Sequence, residues 1–147
     1  MIQRIQTLYL LLSTVLVSLL LLLPFAEITK DGAVFLMNFK GILLDGTVIQ
    51  SGIIILLLVV VIVIMHIYAI LKFKKRLLQI QVIKFTIWGL LGLFGMFFFI
   101  AYSTFSGSVT NFKISHVFPV IAIILDWLAM RAIKKDEALI RSIDRIR

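Results

Sequence analysis

The sequence predicts an all-α membrane protein: a four-helix transmembrane bundle with both termini inside, a small extracytoplasmic cap with room for a β-hairpin, and an amphipathic C-terminal helix. Three observations predict it. The 147 residues are 62% hydrophobic and 15% charged, with a mean hydropathy of +1.16. Soluble domains hold about 45–50% apolar and about 25% charged residues, so the excess must face something other than water. Four stretches almost free of charge each come close to a bilayer in length. Fifteen Lys and Arg against seven Asp and Glu leave a charge of +8, and the cations gather at the ends of those stretches. The expected organisation is one transmembrane domain over residues 1–147, with spans near 8–25, 53–71, 85–102 and 117–133. The chain has no cysteine, which excludes disulfides, thiol redox relays, lipoprotein modification and thiolate metal sites.

The first span, Leu8 to Phe25, contains no charge and at ~1.5 Å per residue covers roughly 27 Å. A cleaved signal peptide competes with it, but a cleavage region at Pro24-Phe25-Ala26 puts proline where a small residue is wanted. The second span, Ile53 to Leu71, is a block of Ile, Leu and Val interrupted by His66 and closed by Lys72, Lys74, Lys75 and Arg76. Its β-branched run Val59 to Ile64 suits a strand in water, yet a lone strand in hydrocarbon leaves its backbone unpaired, so helix is expected. The third, Phe85 to Tyr102, is rich in Phe and Gly, and the fourth, Val117 to Ile133, carries Asp126. The alternation of an outer-membrane barrel is missing.

Arg4 precedes the first span; Lys72, Lys74, Lys75, Arg76 and Lys84 lie between the second and third; Arg131, Lys134, Lys135, Arg141, Arg145 and Arg147 close or follow the fourth. Only Lys30, Lys40 and Lys113 remain for the other side. By the positive-inside rule, the termini and loop 72–84 are cytoplasmic, and loops 26–52 and 103–116 extracytoplasmic. Topology and anionic lipid account for the cations. They are separated by spans and have no aromatic stacking platform, so nucleic acid is not an expected partner.

In the first outer loop, EITKDGAVFLMNFKG reads as two β-favourable runs around a Lys30-Asp31-Gly32 turn. SVTNFKI in the second loop is a candidate third strand. Phe35, Met37, Phe39 and Phe112 then need cover from the membrane surface or the helices. The tail 134–147 keeps helical spacing: Leu139, Ile140, Ile143 and Ile146 form an apolar stripe, with Glu137, Arg141, Asp144 and Arg145 opposite. Such a helix lies on the inner leaflet or docks on a protein partner. Asp136, Glu137 and Asp144 would be repelled by anionic lipid, which favours docking, although the same acids also serve as internal helix pairs.

Within the spans, Asp126 lies five residues before Arg131 and His66 six before Lys72, which puts both at one depth. An ionised carboxylate there costs about 2.5 kcal/mol or more unless paired or hydrated. A His66/Asp126 pair between spans two and four is one expectation; Asp126 reaching water, Arg131 or Lys134 is the other. A proton relay would need further ionisable groups toward the outside, and the upper halves of the spans have none. Gly89, Gly92 and Gly95, and Ser13, Thr14 and Ser18, permit close helix packing within the chain or, for the glycines, between two copies. His116 sits at the opposite end from His66, which argues against bis-histidine haem. No Ser/His/Asp cluster, HExxH or P-loop occurs. No enzyme activity, cofactor or metal is therefore expected.

The opening MIQRIQTLYLLL, the middle KKRLLQIQ around Arg76 and Gln79, and the closing LAMRAIKKDEALIRSIDRIR resemble a bacterial family of small four-span membrane proteins catalogued as domain of unknown function forty-two ninety-three. The likeness covers the whole chain; the family often has asparagine where this chain has Met130. The resemblance implies a Gram-negative inner-membrane protein with no assigned activity, and draws attention to Gln3, Arg4, Gln6, Arg141, Asp144 and Arg145. The expected function is a non-enzymatic accessory or interaction subunit. Its docking surface would comprise Arg4, Arg76, Gln79, Glu137, Arg141, Asp144 and Arg145. The alternative is a small-molecule or lipid-handling protein with its ligand beside His66 and Asp126.

Overall fold

The computed structural model describes residues 3–104 and 108–144. Helix α1 (Gln3–Leu19) leads into strands β1 (Ala26–Lys30), β2 (Ala33–Asn38), β3 (Gly41–Leu44) and β4 (Thr47–Ser51). Helices α2 (Ile53–Leu71) and α3 (Arg76–Thr104) follow, then β5 (Val109–Phe112), a 3-10 turn (Ile114–Val117) and α4 (Phe118–Asp144).

This architecture corrects the expected fold class in two respects. The chain is not all-α, because the five strands form one antiparallel sheet in the order β4-β3-β2-β1-β5. Nor are there four candidate spans among the described residues. Three helices, Ile53–Leu71, Arg76–Ser103 and Ile114–Ile140, are long and apolar enough to cross a membrane, whereas the apolar part of the first runs only from Ile5 to Leu19. Its expected extension to Phe25 is broken by a turn at Leu20 to Leu22 and by Pro24, which disfavours helical geometry in the residue before it. Phe25 then joins the sheet, donating its N–H to Met37 O at 2.7 Å and accepting from Lys113 N–H at 2.9 Å.

The sheet follows from local turn chemistry and one distant pairing. Asp31-Gly32 and Asp45-Gly46 all have positive φ, the geometry of a two-residue hairpin turn. Between them the chain turns at Phe39-Lys40, where Asn38 Oδ1 accepts from Lys40 N–H at 2.8 Å. Gly41 has φ +124, and a Cβ there would lie 1.8 Å from Gln50 O, so only glycine lets β3 pass so close to β4. The fifth strand arrives from far along the sequence, pairing Ala26 with Phe112 and Thr29 with Val109.

The helices run alternately up and down, α1 packing on α2 and α4, and α3 on the same two. The N-terminal helix start, the α2–α3 turn and the end of α4 thus share one end of the molecule, and the sheet covers the other. Two apolar clusters fill the interior. The upper joins Val17, Ile62, Leu90 and Ala122 of the helices to Phe25, Met37 and Ile42 of the sheet. The lower is built from Leu10, Ala69, Ile80, Ile83, Ala129 and Ile133. The helix boundaries also shift the expected connections. Arg76 already begins α3, so loop 72–84 shrinks to a tight turn. The tail expected as a separate amphipathic helix continues α4 as far as Asp144.

Candidate functional site

Each helix carries one fully buried polar residue between the two apolar clusters: Ser13 in α1, His66 in α2, Thr86 in α3 and Asp126 in α4. All four are fully buried, at 0% exposure. His66 Nε2 lies 3.0 Å from both carboxyl oxygens of Asp126 and 3.0 Å from Ser13 Oγ. The Thr86 hydroxyl reaches Asp126 Oδ2 at 3.1 Å and Ile83 O, on its own helix, at 2.7 Å. Ser13 also approaches Ala122 O on α4 at 3.4 Å. The network thereby ties all four helices together at one level.

The partners decide where the protons sit. His66 Nδ1 is 3.0 Å from Ile62 O, a carbonyl that only accepts, so Nδ1 carries a hydrogen. Nε2 then faces both carboxyl oxygens of Asp126 and the Ser13 hydroxyl. Pairing matters here, because an unpaired charge in so buried a place would cost several kcal/mol. Thr14 and Ser18, grouped with Ser13 by sequence, instead donate back to Leu10 O and Thr14 O of their own helix. Ser13 and Thr86 were not expected in the pair. Their sequence signal was only a small hydroxyl at the right depth, and no spacing rule says which way it faces.

At the end holding the termini, Gln6 donates through Nε2 to Asp136 Oδ2, and both residues are buried. Arg76 meets Glu137 at 3.6 Å. These contacts correct the expected docking surface: Gln79 is buried rather than exposed, while Arg76 and Glu137 bind each other across α3 and α4. Gln3 and Arg4 lie on α1, and Arg141 and Asp144 on α4, but their side chains fall outside the described residues, as does all of Arg145. An open cavity of about 650 Å³ at this end is lined by Phe73, Lys74, Lys75, Leu77, Leu78 and Ile140 together with the Arg76–Glu137 pair. Of the three glycines read as a contact stripe, Gly89 is used internally: a Cβ there would meet Ile62 at 3.1 Å, whereas Gly92 and Gly95 have open space.

At the sheet end, His116 is 6% exposed and sits among rings. Its centroid is 4.3 Å from Phe112, 4.9 Å from Phe98, 5.0 Å from Phe94 and 5.5 Å from Phe97. Neither ring nitrogen has a hydrogen-bond partner among the described residues. Nearby, Glu27 and Lys113 pair at 2.6 Å across β1 and the residue after β5, and the Ser115 hydroxyl donates to Pro24 O. No group of three or more metal-ligating side chains gathers among the described residues.

Fold and network together define a protein of membrane-compatible helices, closed at one end by an antiparallel sheet and tied at mid-height by a buried polar layer. The model of the family described as "Domain of unknown function (DUF4293)" matches residues 2–146, and the chain belongs to that family. No curated protein and no solved structure matches it.

Proposed function

We propose that this chain is a multi-pass protein of the bacterial inner membrane, without catalytic activity, that serves as an accessory or interaction subunit of a larger assembly. It docks through the end formed by the α2–α3 turn and the last turns of α4, and that end faces the cytoplasm. Twelve of the fifteen cations fall in the segments assigned to that side. Lys72 lies over the Tyr68 ring at 5.4 Å and Arg131 over the Trp127 ring at 5.6 Å, cation–aromatic pairs of the kind that suits a membrane–water interface.

The observation that carries the reading is the extension of α4. Leu139 and Ile140 are 48% and 42% exposed, while Asp136 and Glu137, one turn earlier, are held by α1 and α3. An apolar step on an anchored helix is a pre-ordered docking face, which lowers the entropy lost on binding. The competing reading, a ligand beside His66 and Asp126, is disfavoured because Ser13 and Thr86 already occupy the contacts a ligand would need. The test is a photo-cross-linking amino acid at Leu139 in native membranes, compared with one at Leu57, an exposed α2 position. One discrete adduct from position 139 and none from 57 is expected. Identical patterns from both positions would remove the docking reading.

A further inference from the structure

The open cavity at the α2–α3 turn shares Ile140 with the docking face, but its two lysines and the apolar wall below them are used neither by that step nor by the polar network. Its rim carries Lys74 and Lys75, both exposed and without an acidic partner among the described residues. Arg76, beside them, is partly neutralised by Glu137. Below the cations the lining is apolar: Phe73, Leu77, Leu78 and Ile140, of which Phe73 and Leu77 are exposed, as is Leu71 just before the turn. The ligand that satisfies both surfaces has an anionic head and an apolar remainder. A soluble anion would leave the apolar wall bare, and an apolar tail alone would leave two cations unmatched. The cavity also opens where α2, an uncharged helix long enough to span a membrane, ends. A lipid head at the cations can therefore lay its chains along the apolar flank of α2 and α3. Basic pockets between helices on the cytoplasmic side are a general solution for binding anionic lipid heads.

From this we infer that the cavity lined by Phe73, Lys74, Lys75, Leu77 and Ile140 is a binding site for an anionic phospholipid. Lys74 and Lys75 hold the phosphate, and the apolar residues cover the glycerol and the start of the acyl chains. The inference rests on the membrane placement proposed above and adds a specific lipid class to it.

The experiment uses the purified full-length chain. Flotation with vesicles of phosphatidylcholine containing phosphatidylglycerol comes first; a chain that does not float removes the membrane reading and the lipid site together. For the chain that floats, native mass spectrometry in mild detergent with equal amounts of the two lipids reads the preference. The wild type is expected to retain phosphatidylglycerol. Lys74→Gln/Lys75→Gln should weaken that preference by about twenty-five-fold, at about fivefold per lysine. Lys134→Gln/Lys135→Gln removes the same charge from exposed positions outside the cavity and should leave the preference in place. Unchanged helical circular dichroism in both variants establishes that they fold. Equal losses in the two variants, or no preference in the floating wild type, would overturn the site and leave the membrane reading standing. Displacement of the lipid by millimolar inorganic phosphate, or retention of an acidic protein at Lys74 and Lys75 in its place, would also overturn it.

Discussion

The two histidines are both buried, and by opposite means. His66 has each ring nitrogen within 3.0 Å of a partner, and the partners come from α1, α4 and its own helix. His116 has neither nitrogen paired and is instead enclosed by four phenylalanine rings. The first sits where only helices meet, and its polar bonds select one alignment of those helices. The second sits where helices meet the sheet, and there shape and aromatic contact do the fastening. Burial of a histidine therefore says little about its role; what surrounds each nitrogen decides it.

Three single substitutions and one double variant sharpen or break this contrast, and all are read from unfolding in detergent micelles. The largest effect is expected at the polar layer. Asp126→Ala leaves His66 buried beside an empty position and should destabilise the protein by about 3–5 kcal/mol, whereas replacing both members, His66→Leu/Asp126→Leu, should restore most of that loss. An Asp126→Ala variant that unfolds like the wild type would show that the layer fastens nothing. Thr86→Val comes next: it removes one hydroxyl shared between Asp126 and Ile83 O, with an expected loss of about 1 kcal/mol of unfolding free energy. The smallest change, and of opposite sign, belongs to the other histidine. His116→Phe removes two unpaired nitrogens from an aromatic cage and should leave the thermal midpoint unchanged or raise stability by about 1 kcal/mol. A loss comparable to Asp126→Ala would mean that the ring has a polar partner after all, and the contrast would fail.

The same contrast separates what was legible in the chain from what was not. Hydropathy marks α2, α3 and α4 because an apolar stretch of this length has few stable alternatives. The depth of His66 and of Asp126 is readable too, since each lies a counted number of residues from a basic boundary. The membership of Ser13 and Thr86 was not: a serine in a helix can bond back to its own turn, as Thr14 and Ser18 do, and only packing shows that Ser13 does otherwise. The Asp31-Gly32 turn was visible, and Asp45-Gly46 carries the same signal. The apolar GILL between Gly41 and Leu44 gave no alternation to mark it as a strand, so β3 and β4 went unread. The end of α1 was misplaced because a run of leucines continues past Leu19, and hydropathy does not register that Pro24 and the pull of Phe25 into the sheet stop the helix first. The docking residues Arg76 and Glu137 look solvated in sequence, yet they face each other from helices 61 positions apart.

By itself, the sequence determined that three stretches form long apolar helices, that most of the cations gather at the ends of the apolar stretches, and that Asp-Gly pairs turn the chain. Each is a local property, set by side-chain hydropathy and backbone geometry within a few residues. Only the tertiary structure decided that residues 26–29 pair with 109–112 to complete a sheet, that four polar residues from four helices converge, and that Gln6 and Asp136 close the far end. Those outcomes depend on which helix faces meet, and a helix face gains its meaning only when a second helix is packed against it.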